Sequence, residues 1–224
     1  MTYGDLLLML QSDVNRADKE VVFYPLWINR ALRKIQTDCS FSFMRTRADV
    51  ALTAGNASAL LPSTYKELTP ELYPVTVVDP SLVGPFAELP CELTSREKIL
   101  SYRASTFVPA LPANVRGRLN GLPVWVENTA SGWTLNLIDA LTQDVTFRVS
   151  HYGFLPDLAA ETDTNALLTN YPDLVENKVK AIAFTSINDP VAAMFEGNAA
   201  KLMQEAVLDD KRRGWNGRPL RMGG

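Results

Sequence analysis

The sequence predicts an α+β protein: a helical frame drawn from both ends of the chain, an inserted small antiparallel β-domain, and an extended C-terminal tail. Three observations carry that prediction. Apolar residues recur at helical spacing near the N-terminus and again in the C-terminal third. Between these regions, short runs alternate apolar and polar with a period of two. The last residues follow neither period. The expected boundaries are 1–43 for the N-terminal helices, 44–156 for the β-domain, 157–211 for the C-terminal helices and 212–224 for the tail.

In chain order, Tyr3 to about Asp13 reads as a short apolar helix, followed by a polar break at Asn15-Arg16-Ala17-Asp18. From Tyr24, the residues Trp27, Ala31 and Ile35 recur every four positions, with Ile28 and Leu32 beside them. Arg30, Arg33, Lys34 and Gln36 are expected on the opposite, solvated face. Pro25 suits the first turn, where its missing N–H costs nothing. This helix should end near Cys39-Ser40.

From Met44 to Tyr152 the chain is rich in Pro, Gly, Thr and Ser. Its clearest strands are the last three: Leu122–Glu127, then Trp133–Leu137, then Val145–Ser150, with a turn at Asn128–Gly132. Weaker strands are expected around Ala48–Leu52, Ser58–Leu61 and Val75–Val78. Thr94-Ser-Arg-Glu97 has the spacing of a capping box opening a helix through Tyr102. Asp157–Asp163 reads as a solvated acidic linker. Asn170-Tyr-Pro-Asp173 opens a helix through about Asn188, with proline and an acid in the first turn. Asp189 then caps a last helix with Pro190 at its first position. Its expected face is Val191, Met194, Phe195, Asn198, Leu202 and Ala206, ending near Lys211. No internal repeat is visible.

Twenty-two Lys+Arg against twenty-five Asp+Glu give a net charge of −3, which argues against a dedicated nucleic-acid binder. Two cysteines, Cys39 and Cys91, are too few for a disulfide framework or a thiolate metal site, and each is expected to be a small buried or half-buried residue. One histidine removes every two-histidine metal motif. No run approaches the roughly 20 apolar residues of a membrane span. The start, Met1–Asp5, lacks the basic region of a secretory leader. The expectation is a soluble protein made in a reducing cytoplasm, without membrane, metal or cofactor.

His151 is the one candidate for acid–base chemistry. It continues the apolar parity of Val145, Phe147 and Val149, so a packed histidine is the plainer reading. No phosphate loop, dinucleotide fingerprint or Gly-x-Ser-x-Gly elbow is present. No catalytic residue is therefore assigned. The tail carries more: Lys211, Arg212, Arg213, Arg218 and Arg221 are interleaved with Trp215, Pro219, Leu220 and Met222. Arginine, tryptophan and methionine are enriched in protein–protein interfaces, and such a segment can order on a partner. Non-specific phosphate contact and a frayed terminus remain alternatives.

The ordered set Trp27-Ile-Asn-Arg-Ala31, Leu61-Pro62-x-x-Tyr65, His151-Tyr-Gly-Phe-Leu-Pro156, Thr164-Asn-Ala-Leu-Leu168 and Tyr171-Pro-Asp-Leu174, closed by Asp209-Asp210, basic residues and Gly217-x-Pro-Leu220, resembles the head-to-tail adaptor (connector) proteins of tailed bacteriophages. Two stretches depart from the family pattern: Val175-Glu-Asn-Lys-Val-Lys180 and Asn188-Asp189-Pro190. The resemblance implies a structural virion protein in the neck between capsid portal and tail. It implies a homo-oligomeric ring, dodecameric in the family pattern, beneath the portal protein. The helices would build the ring, close to genomic DNA in the channel but without strong phosphate binding. Arg212, Arg213, Trp215, Arg218, Pro219, Leu220, Arg221 and Met222 would dock on the portal. The opposite face, with the β-domain, would receive a downstream tail or nozzle protein. Two rivals stand beside it: a peptidoglycan-degrading hydrolase using His151 and nearby acids, and another neck or tail-completion protein.

Overall fold

The computed structural model describes residues 1–14, 23–78, 88–97, 122–138, 140–141 and 144–216, the last three of these in backbone only. The chain divides into two compact units, Met1–Met44 with Phe154–Gly224, and Arg45–Gly153. Helices make the first and a largely antiparallel sheet the second, so the fold is α+β with helices at both ends.

In the helical unit, α1 (Tyr3–Val14) buries Tyr3, Leu6, Leu10 and Val14, one face at three- and four-residue spacing. Its first turn is closed reciprocally: the Asp5 N–H donates to Thr2 Oγ1 (3.2 Å) and the Thr2 N–H to Asp5 Oδ2 (2.7 Å). Helix α2 (Phe23–Asp38) buries Tyr24, Trp27, Ile28, Ala31, Leu32 and Ile35, the face its spacing predicts.

Gln36 departs from the prediction. It is 1% exposed, because its Oε1 accepts the Leu155 N–H at 2.6 Å. Two helical turns earlier, Asn29 donates to the Leu158 carbonyl and accepts the Leu158 N–H, both at 2.9 Å. These two amides correct the reading of 157–163 as a solvated linker. Leu158 is buried, and Asp163 Oδ2 accepts the N–H groups of Ala159 and Ala160 at 2.8 Å. The carbonyls of Asp163 and Glu161 in turn accept the Tyr3 and Gly4 N–H groups at the start of α1, both at 2.9 Å. The segment is a strap whose backbone groups are paired with α1 and α2.

Three helices follow. Helix α3 (Ala166–Asn170) is capped by Asn165, whose side chain accepts the Leu168 N–H. Helix α4 (Pro172–Ser186) carries its proline and Asp173 in the first turn, as expected. It stops before Asn188, which turns left-handed (φ 57°) and lets the Asp189 N–H reach the Phe184 carbonyl at 2.9 Å. Asp189 Oδ1 then accepts the Val191 N–H at 2.9 Å in a turn through Pro190, and the helix begins at Ala192, two residues later than the expected Pro190. Helix α5 (Ala192–Asn216) runs 25 residues and passes the expected stop at Lys211. An i,i+4 pair of Asp209 with Arg213 (2.9 Å) spans those last turns. Asp210 also binds the 3-10 turn Ser42–Met44, accepting the Ser42 N–H (2.9 Å) and hydroxyl (2.6 Å).

The β-unit holds eight described strands: β1 (Arg45–Leu52), β2 (Ser58–Leu60), β3 (Tyr65–Leu68), β4 (Val75–Val78), β5 (Glu88–Leu93), β6 (Leu122–Thr129), β7 (Gly132–Leu137) and β8 (Val145–Gly153). Their order is β1-β8-β4-β5-β6-β7-β2, with β3 also on β8. The path ends, β1 and β2, are consecutive in the chain and lie against each other, so the sheet curls around one core. Val50, Val75, Val77, Val124, Leu135, Phe147 and Val149 fill it. Strand β8 is central: β1 covers one edge along its whole length, while β4 and then β3 share the other.

Strands β3 and β5 are absent from the sequence prediction. Pro90 sits within β5, which normally argues against a strand. Here residues 88–90 pair with β4 and 91–93 pair with β6, so the proline stands where the strand changes partner. The β6–β7 turn is tighter than expected: Thr129 pairs with Gly132, and Gly132 takes φ 115°. At the expected capping box, Glu97 is hydrogen-bonded by Ser95, and Thr94 Oγ1 is buried without a partner among the described residues. The expected helix through Tyr102 and the break at Asn15–Asp18 lie almost wholly or wholly outside the described residues.

Candidate docking surfaces

The sequence-predicted portal-docking residues divide into two groups. Arg212 and Arg213 belong to the last turns of α5, not to an extended tail, and both are exposed. Arg213 is partly engaged: its guanidinium meets Asp209 at 2.9 Å and Asn170 Oδ1 at 3.5 Å. The backbone of Trp215 continues the same helix. Arg218, Pro219, Leu220, Arg221 and Met222 lie outside the described residues.

Helix α5 is unusual in how little it buries. Ala199 and Ala206, seven residues apart, are its buried apolar side chains. Of its expected face, Phe195 and Leu202 are half-buried, with Phe195 stacked on Phe184 at 5.5 Å. Val191, Met194 and Asn198 are exposed, which corrects the expected core face. Met194 and Leu208 are each 55% exposed, and Leu8 on α1 and Leu26 on α2 are exposed as well. One ion pair and one cation–π contact hold α5 to its neighbours. Lys178 Nζ reaches Glu196 at 2.6 Å, and Lys180, bonded to Asp13 and Glu176 at 2.7 Å, lies over the Phe195 ring.

Where α4 begins beside α5 there is a groove of about 200 Å³. Pro172, Leu174, Leu202 and Ala206 supply its apolar part, and Asp173, Glu205 and Asp209 its carboxylates. The Tyr171 hydroxyl also lines it, 3.2 Å from the Ala206 carbonyl and 3.4 Å from Asp209. Burial, and then the carboxylates of Asp209 and Asp210, raise the Tyr171 pKa above its ordinary value. Three carboxylates thus line the groove, and one of them, Asp209, is paired with Arg213.

The β-unit offers a different feature. The loop between β3 and β4 is stapled at its base by one residue of β8. The Ser150 N–H donates to the Pro74 carbonyl (2.7 Å), while the Ser150 carbonyl accepts the Thr69 N–H (3.1 Å) and hydroxyl (3.2 Å). At the tip, Leu72 is 84% exposed and Tyr73 is exposed beside it. A held loop presenting a leucine and a tyrosine to solvent is suited to a protein partner.

His151 is packed rather than displayed. It is 1% exposed, its ring lies 5.5 Å from that of Tyr65, and its Nδ1 is 3.3 Å from the Val149 carbonyl. Burial pushes the Tyr65 hydroxyl up to about 12 and the Cys91 thiol likewise to about 12. Cys39 is half-buried and Cys91 buried, as expected. Among the described residues no group of three or more His, Cys, Asp or Glu side chains is placed to hold a metal ion. No described helix is long and apolar enough to cross a membrane.

Helices at both ends, a sheet between them and a basic C-terminal segment accompany a match of the SU10 adaptor protein family to residues 1–223. The chain belongs to the SU10 adaptor protein family. No curated protein matches it. SU10 adaptors are phage structural adaptors. The exposed Leu72–Tyr73 tip is not among the residues the sequence reading singles out. Its signal was present in Thr69-Pro-Glu-Leu-Tyr-Pro74, an apolar pair between two prolines.

Proposed function

We propose that this SU10 adaptor is a head-to-tail adaptor of the virion neck, assembling as a ring beneath the portal and leaving a channel for DNA. The family match over residues 1–223 is the observation that carries the reading. In it, Met194 and Leu208 on α5 face neighbouring copies, and ring closure multiplies individually weak contacts. A dodecamer is the stoichiometry the resemblance favours. The net charge of −3 suits a channel wall that DNA must slide past.

The portal is engaged by Arg212, Arg213, Trp215, Arg218, Pro219, Leu220, Arg221 and Met222. Arginines pair with portal carboxylates, while Leu220 and Trp215 fill apolar pockets. The Leu72–Tyr73 tip is offered to the downstream tail or nozzle protein. The test is binding to the purified portal by the double variant Arg218→Glu, Leu220→Asp. Loss of binding with an unchanged fold is expected. Binding equal to that of the unaltered chain would remove the tail from the reading and favour another neck or tail-completion role.

A further inference from the structure

The outward face of α2 carries unused groups. Leu26, Arg30, Arg33 and Thr37 lie along it at four- and three-residue spacing, and all are exposed, Leu26 at 57%. Arg33 is already engaged, bonded to Asp157 at 3.1 Å and seated over the Phe154 ring at 4.6 Å. Lys34 beside it pairs with Asp38 at 3.1 Å. Arg30 enters no hydrogen bond or ion pair among the described residues. The face therefore presents, one helical turn apart, a bare leucine and a guanidinium without a carboxylate.

The groove where α4 begins beside α5 holds the complementary groups at a similar spacing. Leu202 and Ala206 supply apolar surface, Glu205 and Asp209 follow each of them three residues along α5, and Asp173 stands on the α4 side. Asp209 pairs with Arg213 at 2.9 Å, so a guanidinium is already received there. Asp173 and Glu205 are exposed and join no ion pair among the described residues. At about 200 Å³ the groove is smaller than the roughly 300–1,000 Å³ of a small-molecule pocket, and its size suits inserted side chains. Helix α2 contributes no residue to it. The two surfaces are thus distinct, and pairing them between copies leaves each copy one of each to offer the next.

We propose that the occupant of this groove is a second copy of the chain, whose α2 lays Leu26 on Leu202 and Ala206 and directs Arg30 to Glu205 and Asp173. The contact is head-to-tail, the α2 face of one copy on the α4–α5 groove of the next. Its closure into a ring rests on the proposed function; the pairing of the two surfaces does not.

The experiment uses the full chain with Leu26→benzoylphenylalanine, irradiated as an equal mixture of light and 15N-labelled protein, alone and again with the portal ring. Mass spectrometry should place the crosslinks on residues 171–174 and 202–209, in mixed-isotope pairs. Arg30→Glu and Glu205→Arg, exposed changes that circular dichroism should show to be folded, should each cut the yield by about fivefold. An equal mixture of those two variants should recover it, because the reversed charges then meet between copies. Groove crosslinks in neither sample, crosslinks confined to one isotope, or no recovery in the mixture would each overturn the proposal. Crosslinks from position 26 to the portal would overturn it too, and would give the α2 face to that partner. Portal binding is measured on the same samples. Groove crosslinks in the chain alone without portal binding would remove the proposed function and leave this contact standing. Portal binding in a fixed multiple without groove crosslinks would do the opposite.

Discussion

Arg148 on β8 stands directly opposite Asp49 on β1 and donates Nε and Nη2 to its two carboxylate oxygens, at 2.8 and 3.0 Å. Its third nitrogen, Nη1, reaches Glu88 on β5 at 2.7 Å, across β4. Thr76, the β4 residue paired with Arg148, donates its hydroxyl to the other Glu88 oxygen at 3.0 Å. One guanidinium thus ties four adjacent strands, β1, β8, β4 and β5, through fork-shaped donors that lysine lacks.

Replacing it should loosen the sheet. Arg148→Met is expected to lower the thermal midpoint by about 2–4 °C, with Arg148→Lys between the two, measured by circular dichroism at neutral pH. The arginine hydrogen bonds lower the pKa of both Asp49 and Glu88 from their ordinary values. A depressed carboxylate pKa gives stability that is present above the unfolded value and lost as pH falls through the folded one. The midpoint difference between Arg148→Met and the unaltered chain should therefore be full above about pH 4.5 and shrink at lower pH. A difference that grew on acidification would contradict the assignment.

Gly4 is required by a close approach. A Cβ there would lie 3.0 Å from the Glu161 carbonyl oxygen and 3.2 Å from the Glu161 Cβ. Gly4→Ala should destabilise by about 1 kcal/mol although alanine is the better helix former, because the strap must move to admit the methyl. Chemical denaturation would measure it, and a stabilised Gly4→Ala would show that the strap yields freely.

Asn29 holds the middle of that strap with two bonds to Leu158. Asn29→Ala leaves the Leu158 N–H and carbonyl unpaired and should cost about 1–2 kcal/mol. Hydrogen exchange should report faster protection loss at Leu158 than at the α2 core amides of Ile28 and Leu32. Uniform change at all three sites would mean that the side chain supports the whole unit rather than the strap.

Helices α1 and α2 and strands β6 to β8 were legible because their apolar residues follow one period, and α4 from its Pro172-Asp173 start, whereas the five-residue α3 was not read. Strand β5 was not: Pro90 conceals a strand whose partner changes at that residue. The strap was hidden for another reason. Gln36 and Leu155 are separated by 119 residues, and no local pattern reports a bond over that distance. Periodicity also marked the apolar stripe of α5 without saying what would cover it, and much of that stripe is exposed. In the candidate site, the basic composition of the tail was readable. The continuation of the helix through Gly214 was not, because it is accompanied by the Asp209–Arg213 pair and by the Asp210–Ser42 bonds, the latter long-range.

The exposed apolar residues of α5 offer a test that separates assembly from folding. Met194→Glu with Leu208→Glu should leave stability within about 0.5 kcal/mol, since neither residue is buried in the single chain. The same pair should abolish ring formation, read by the mass of assemblies formed with the portal. Normal assembly would place the copy-to-copy contact on another face.

The most direct measurement of the central claim is the mass of the purified chain alone and after mixing with the portal ring from the same genome. The account predicts that the full chain joins the portal in one fixed multiple, and that a chain ending at Asn216 does not. A full chain that fails to associate across the salt range, or a shortened chain that associates equally well, would contradict it.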